Sequence, residues 1–508
     1  MQKQGKVYII GAGPGDPGLI TVKALQCLRD ADVVIYDHLV SAEVLGLIGE
    51  NSRLIYAGKQ GAHHPLPQDE INALILKEAG KGNIVARLKG GDPFIFGRGG
   101  EEAFVLAQAG LPFEIVPGVS SAVAAPAYAG IPLTHRSYSS TVAFVTGHEA
   151  PAKEDSHIDW KALATAGTLV VLMGVKNLPR IVAKLTSTGK DPATPAALIR
   201  WGTTPDQETI VATLRDIVRV AEERHFRPPA VFVVGGVVSL REQLNWFEKQ
   251  PLFGKGVVIT RPQAQAEEFA QLLRRQGARV IYFPTIKIVP AAAGQQLDWA
   301  IGHVEAYQWL IFTSANGAGL FFQRFSELGR DIRDLKGVRI CTIGPATAAV
   351  VEERGIKVDL IPESFVAEGV VRAFQNQGIS GQRILLPRAE VARDVIPEGL
   401  AQLGAQMEVV DVYRTVSSGM EGGGLKELIG RGDVDVLTFT SPSIFKNFMK
   451  IMGKDFHLPA GIRIACIGPV TAAAVKKAGL QIDIMPEKYT IPGLVEAMVN
   501  YFGKTENK

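Results

Sequence analysis

The sequence predicts an α/β protein built from two modules, each with two lobes. Three observations lead there. Short apolar runs ending in glycine-rich turns alternate with helical patterns along the chain, which is how βα units read. The rhythm restarts at Val142 with VAFVTGHE, TLVVLMGV, AALIRWGTTPDQ and PPAVFVVGGVV, which marks a second lobe of the first module. Beyond NWFEKQPLFGK, a polar stretch that reads as a linker, GVRICTIGPATAAVVEERGIKVDLIPE (337–363) is repeated as GIRIACIGPVTAAAVKKAGLQIDIMPE (461–487), 124 residues on. A repeat of that length implies two similar subdomains rather than a solenoid.

Composition narrows the function classes. Hydrophobic residues make up 46% of the chain and charged residues 21%, the balance of a folded soluble protein. A net charge of +3 is too weak to point to nucleic acid. The opening MQKQGKVYIIGAGPGDPG does not read as a signal peptide, and no apolar stretch reaches membrane-spanning length. Cys27, Cys341 and Cys466 lie far apart, without metal-ligand spacing. They fit reduced core thiols of a cytoplasmic protein. No metal, nucleic-acid or membrane partner is expected.

Taken in order, VYII (7–10) is the first strand and GAGPGDPG follows it. A dinucleotide-binding turn is the tempting reading, with Asp37 in VVIYDHL near the place of a ribose-binding acid. The details oppose NAD. Asp16 holds the place of the third glycine, and Pro14 and Pro17 occupy positions where helix-opening amides are needed. The helix starts after Pro17, as LITVKALQCLRDA. Next come LIYAGK (54–59) and a polar loop in which the adjacent His63 and His64 cannot easily share one metal.

The densest stretch is RLKGGDPFIFGRGGEE (87–102), after the buried-strand pattern IVARL. Gly90 and Gly91 let backbone approach a ligand closely. Asp92 precedes Pro93, which biases its backbone to extended geometry and should hold its carboxylate out at the strand's carboxyl end. Glu101 and Glu102 open the next helix with favourable charge. Further on, Val116-Pro117-Gly118 ends a strand, and Ser120 and Ser121 open a helix of small residues that suits a tight pocket wall or close helix packing.

The run GGDPFIFGRGGEE resembles the core motif of uroporphyrinogen-III C-methyltransferases, which use S-adenosylmethionine (SAM). The resemblance spans residues 5 to 247. It implies a two-lobed tetrapyrrole-methylase-type module in which Pro14, Gly90, Gly91, Asp92, Ile95, Ser120, Ser121, Met173 and Gly202 line the SAM site. The family commonly has Thr-Ala where Ser120 and Ser121 stand. It implies a proton acceptor at Asp37 and a proton donor at Lys59, and a homodimer through this module. Arg98 in FGRGG and Arg136 in LTHR are candidates for substrate carboxylates. Methyltransferases of later corrin intermediates share GAGPGDP, but the longer match and LTHR favour the earlier step.

The second module resembles uroporphyrinogen-III synthase, through TRP (260–262), TSANGA (313–318), IGPAT (343–347), VYRT (412–415), TSPS (440–443) and IGPVT (467–471). The resemblance implies a two-subdomain α/β fold, with FPTIKIVP and VYRTVSSG as a paired connector. The expected boundaries are 1–247 (lobes 1–138 and 139–247), a linker 248–255, and 256–508 (256–288 with 416–508, and 291–411). Tyr413 is the candidate donor to a leaving hydroxyl. Ser314, Thr347, Ser441 and Thr471 are candidates to hold substrate carboxylates, with Thr347 and Thr471 equally readable as helix caps.

Together the resemblances imply a bifunctional enzyme. One half cyclises hydroxymethylbilane to uroporphyrinogen III; the other methylates that product twice from SAM to precorrin-2, the entry to sirohaem and cobalamin. The alternative is a later corrin methyltransferase with a non-catalytic, tetrapyrrole-binding second module. No segment reads as a dehydrogenase–ferrochelatase, so no NAD is expected.

Overall fold

The computed structural model describes residues 5–58, 66–148, 158–262, 265–291, 294–453 and 456–505. Lys59, His63 and His64 lie outside the described residues. Two compact units divide the chain: 1–257 with 272–280 and 498–508, and 258–271 with 281–497.

The first unit opens with β1 (Lys6–Gly11), β2 (Val33–Tyr36), β3 (Arg53–Tyr56), β4 (Ile84–Lys89) and β5 (Phe113–Val116). They form one parallel sheet in the order β3-β2-β4-β1-β5. Helices cover both faces, so these strands read as continuous apolar runs. On one face the helix Val22–Asp30, capped by the Thr21 side chain, sets Ala24, Cys27 and Leu28 against Ile10, Val34, Ala86 and Leu88. On the other, Ile71 and Ile75 of Gln68–Gly80 and Ala103 and Leu106 of Gly99–Gln108 pack on Val7, Ile9, Ile35 and Val85. Each such fully buried aliphatic side chain contributes about 1.5–3 kcal/mol.

Strand order makes a crevice. β1 and β4 are neighbours, yet β1 leads to β2 on one side and β4 leads to β5 on the other. Connections that part in this way leave open the carboxyl ends of the two strands, where α/β sheets bind ligands. Both glycine-rich loops begin there, at Gly11 and at Gly90. Gly11 packs so tightly that a Cβ would stand 2.5 Å from the Gly91 oxygen and 2.6 Å from the Gly118 Cα. A Cβ on Gly118 would collide with the same oxygen.

The second lobe holds β6 (Val142–Thr146), β7 (Thr168–Leu172), β8 (Pro195–Arg200), β9 (Glu208–Thr213) and β10 (Ala230–Gly235), in the order β6-β7-β10-β8-β9. β10 is antiparallel to both β7 and β8. The helix Ser121–Tyr128 packs Ala122 and Ala125 on Val170, Ala197 and Val233 of this sheet. The stretch 248–255 is packed too: Leu252 is fully buried, and Phe247 lies edge-on to Tyr128 and Phe253.

Nine further strands follow among the described residues: β11 (Gly256–Ile259), β12 (Arg279–Tyr282), β13 (Ile286–Pro290), β14 (Trp309–Phe312), β15 (Arg339–Thr342), β16 (Arg383–Ala389), β17 (Gln406–Ser417), β18 (Val436–Phe439) and β19 (Arg463–Cys466). One sheet runs β12-β11-β18-β19, the other β13-β17-β16-β14-β15. β13 runs antiparallel to the end of β17, from Ile286 opposite Ser417 to Pro290 opposite Tyr413, so the two crossings do form a paired connector. The repeat is repeated in structure. Asp359 accepts from the Ile340 amide at 2.7 Å and Asp483 from the Ile464 amide at 2.8 Å. Gly344 and Gly468 each stand at the N-cap of a helix that begins with proline. Cys27, Cys341 and Cys466 are buried free thiols, and burial pushes the latter two up to about 12.

The glycine contact predicts a large response to one methyl group. Gly118→Ala should destabilise the first unit by about 1–3 kcal/mol through overpacking against backbone that cannot rotate aside. Urea titration measures it, and an unchanged midpoint would mean that the loops yield freely.

Candidate active sites

The crevice at the ends of β1 and β4 is lined by main chain. Gly13 and Gly91 exchange two hydrogen bonds, the Gly91 amide to the Gly13 oxygen at 2.7 Å and the reverse at 3.2 Å. Both have positive φ, +81° and +68°, which only glycine adopts without strain. Asp92 is not held out free, as its place before Pro93 suggested. One carboxylate oxygen accepts from the Phe94 amide at 2.8 Å and the other from the Gly118 amide at 3.1 Å. It pins the third loop of the crevice to the second. Ser120 caps the helix Ser121–Tyr128 by accepting from the Ala122 amide. Ser121 is the first residue of that helix. Pro14 is half-buried, while Ile95 is 39% and Met173 51% exposed.

Asp16 ties this crevice to the second lobe. Its amide donates to the Thr203 hydroxyl at 3.1 Å, and its carboxylate accepts from Tyr128 at 2.7 Å and from the Gly18 amide. Desolvation and Asp16 together push the Tyr128 phenol above its ordinary range. Gly202 lies against Ala125, with no room for a Cβ. Backbone strain gathers in these loops. Phe96, Arg98, Met173, Trp201 and Thr203 are five of the six non-glycine residues with positive φ among the described residues. Such residues persist only where surrounding structure over-determines them, commonly at ligand sites.

Beside the crevice lies a buried charge network. Strand periodicity puts Val85, Arg87 and Lys89 on the face covered by the helix Gly99–Gln108. Arg87 and Lys89 are 1% and 4% exposed. Arg87 donates to Asp37 at 2.6 Å and to Glu102 at 3.0 Å; Lys89 donates to the same Glu102 oxygen at 2.8 Å and stands 3.7 Å from Asp37. Glu102 stands in the first turn of the helix Gly99–Gln108, as its position in sequence suggested, and has a second task. It is the buried counter-ion of two strand cations. Its neighbour Glu101 forms the surface pair with Arg98, at 2.7 Å. Arg136 is exposed in the turn His135–Ser139. Arg87, Lys89 and Glu102 were missed as site residues. The available signal was two cations alternating within a strand otherwise read as buried.

In the second unit the Tyr413 hydroxyl lies 3.0 Å from Ser314 Oγ, which also caps the helix Ala315–Glu327 through the Gly317 amide. Ser441 caps the helix Pro442–Met452 and bonds to Ser443. Thr347 and Thr471 are not caps. Glycine holds that place, and both threonines are buried in the first turn, 4% and 3% exposed. Two arginines went unremarked. Arg261, in the loop after β11, reaches Gln265 at 3.3 Å, and burial pushes its guanidinium down. Gln265 in turn bonds to Asn316. Arg388 borders a recess with Thr313, Ile343 and Phe365, and its Nε has no partner among the described residues. Among the described residues no His, Cys, Asp and Glu side chains gather as a metal site, and no helix is long and apolar enough to cross a membrane.

Two family models divide the chain between them. Tetrapyrrole (corrin/porphyrin) methylases match residues 6–218, and uroporphyrinogen-III synthase HemD matches residues 267–496. The porphyrin biosynthesis protein HemD of Ruminiclostridium josui is 37% identical over 501 residues, covering 99% of both chains. The chain belongs to this family of fused methylase–synthase enzymes. Its first half is also 51% identical over 247 residues to a uroporphyrinogen-III C-methyltransferase of Bacillus subtilis (strain 168), covering 48% of this chain and 96% of the relative. A crystal structure of uroporphyrin-III C-methyl transferase from Thermus thermophilus, complexed with S-adenyl homocysteine, is 41% identical, covers 46% of this chain and 99% of that chain, and has a TM-score of 0.40. In this fused family the crevice belongs to the methylase half and the Ser314–Tyr413 pair to the synthase half.

The double tether of Asp92 predicts a local effect. Asp92→Ala leaves the Gly118 and Phe94 amides without their acceptor. Each loss costs about 1–3 kcal/mol where the amide stays buried. Hydrogen exchange at 116–120 should quicken at least about tenfold, and unchanged protection there would show that the carboxylate is dispensable for holding the loop.

Proposed function

We propose that the two halves catalyse consecutive steps of tetrapyrrole synthesis. The synthase half closes hydroxymethylbilane to uroporphyrinogen III with inversion of the last ring. The methylase half then methylates that product twice from SAM, giving precorrin-2. The observation that carries the methylase reading is the glycine-walled crevice between β1 and β4, with Asp37 at the end of the neighbouring β2.

The crevice fits SAM. Three chain segments meet there without side chains between them, leaving main-chain groups for the polar ends of a ligand, and Ile95 and Met173 are exposed apolar side chains suited to its apolar part. SAM supplies an electrophilic methyl group on a sulfonium. The protein's task is to hold the pyrrole carbon in line with that methyl and to receive the proton the ring then gives up. Pro14, Gly90, Gly91, Ser120, Ser121 and Gly202 shape the SAM side, with Asp92 fixing the loops. Asp37 is the proton acceptor in this reading: partly exposed, at a strand end, and oriented by Arg87. Arg98 and Arg136 are exposed cations suited to the substrate's carboxylates.

In the synthase half, closure breaks the carbon–oxygen bond of the terminal hydroxymethyl group, and the hydroxyl leaves as water. The Tyr413 phenol suits the donor role, because Ser314 holds its hydroxyl in place. Ser441 and the half-buried Arg261 suit the acidic side chains of the substrate. The substrate closes without inversion when left alone, so the enzyme must mainly shape and shield it.

Incubating the whole protein with hydroxymethylbilane and SAM tests both halves in one vessel. The expected product is precorrin-2, with isomer III as the intermediate when SAM is withheld. Isomer I alone would remove the synthase reading; isomer III that stays unmethylated with SAM present would remove the methylase reading.

Residue by residue, Tyr413→Phe should lower synthase kcat by about tenfold to a hundredfold. Ser314→Ala should lower it by about tenfold or less, near 1.4 kcal/mol. The ratio of isomer III to isomer I reports each variant. Complete loss of isomer III in folded Ser314→Ala would point to a single indispensable hydroxyl and against a cleft that shares the work.

A further inference from the structure

Lys89 is an uncommon residue in its place. It ends a strand in the middle of a parallel sheet and is 4% exposed, where a lysine requires a partner. Its partner is Glu102, whose side chain is fully buried. One Glu102 oxygen receives Arg87, Lys89 and, at 3.2 Å, Gln68; its other oxygen has no partner among the described residues. So Lys89 is held by one direct hydrogen bond, and its ammonium faces Asp37 across 3.7 Å. That separation is too long for a hydrogen bond and short enough for strong charge coupling in a buried setting.

We infer that Lys89 is a positioning residue for proton acceptance at Asp37, its ammonium completing the balance of charge around that carboxylate. The inference rests on the reading of Asp37 as the proton acceptor. Arg87 and Lys89 are two cations against Asp37 and Glu102, so the network is balanced only while Asp37 is ionised. A proton on Asp37 leaves a buried excess of positive charge, which drives the proton off again to solvent through the exposed edge of Asp37 once product departs. Lys89 adjusts to this. Burial, and then the Arg87 charge, push its ammonium below the ordinary lysine range, while Glu102 and Asp37 push it back up. Among the described residues, His38 contacts Tyr56 of β3 at 3.4 Å, and Glu101 pairs with Arg98.

The test is the pH profile of kcat/KM for methyl transfer to uroporphyrinogen III by the full chain. It compares wild type with Lys89→Met, Lys89→Gln, Lys89→Arg and Asp37→Asn. Removing a cation beside a carboxylate raises its pKa, so the acid limb should move up by about one pH unit or more in Lys89→Met and Lys89→Gln. It should return towards the wild-type position in Lys89→Arg. Glutamine retains a donor for Glu102, which protects against a variant that fails to fold. The position of a limb also does not depend on how much protein is active, whereas a merely structural role would lower the plateau and leave the limb in place. An unmoved limb in both neutral variants, with the limb lost in Asp37→Asn, would overturn the role of Lys89 alone. A wild-type limb in Asp37→Asn would instead overturn Asp37 as proton acceptor, and the inference with it.

Discussion

The first unit depends on a contact that has no side chains in it. Gly11, Gly91 and Gly118 bring the ends of β1, β4 and β5 together backbone to backbone. The approach closes the crevice floor and fixes the spacing of the three loops around it. It also explains why Asp92 can bond the Gly118 amide, since only a glycine-thin wall lets one loop reach the next. The strained residues Phe96 and Arg98 lie in the loop that Gly91 opens, and the strained Thr203 meets Asp16 of the first loop.

Beneath the loops, charge is buried at high desolvation cost. Such an ion network seldom adds net stability, because partners must recover what water gave. Arg87, Lys89 and Glu102 recover it through short hydrogen bonds, and the one member that reaches the surface is Asp37. An arrangement that stabilises little and exposes a single carboxylate at a strand end is better explained by what it does to that carboxylate. The same economy of exposure holds at Tyr413, which is 8% exposed and turns its hydroxyl to Ser314 at a helix start.

The second unit uses its repeat differently. Asp359 and Asp483, Gly344 and Gly468, and the bridges Cys341–Leu360 and Ala465–Ile484 recur at equivalent positions. These repeated parts are structural: they close a strand onto the loop that follows. What differs between the copies is polar equipment. The first copy sets Tyr413 against Ser314, while the second sets Ser443 against Ser441. The framework is thus repeated, while these polar pairs are not.

Much was legible from the chain alone because local rules carried it. Alternating apolar runs and turn glycines are enough for βα units, the repeat is enough for a doubled subdomain, and GGDPFIFGRGGEE and IGPAT sit where strand ends must be. The paired connector came from the resemblance to the synthase family, and β13 and β17 bear it out. Contacts between distant segments were not legible. Asp92 looked like a free carboxylate because its acceptor role is set by Gly118, 26 residues away. Glu102 looked like a helix-opening charge because nothing local says which helix face meets Arg87 and Lys89. Thr347 and Thr471 were readable as carboxylate holders or as caps, and the glycines before them removed the second reading. Sequence determines periodicity, turns and motif order, since these depend on neighbours along the chain. Only tertiary structure decides which charges are paired and which stay open, because burial and partnership are properties of segments that meet after the chain has folded.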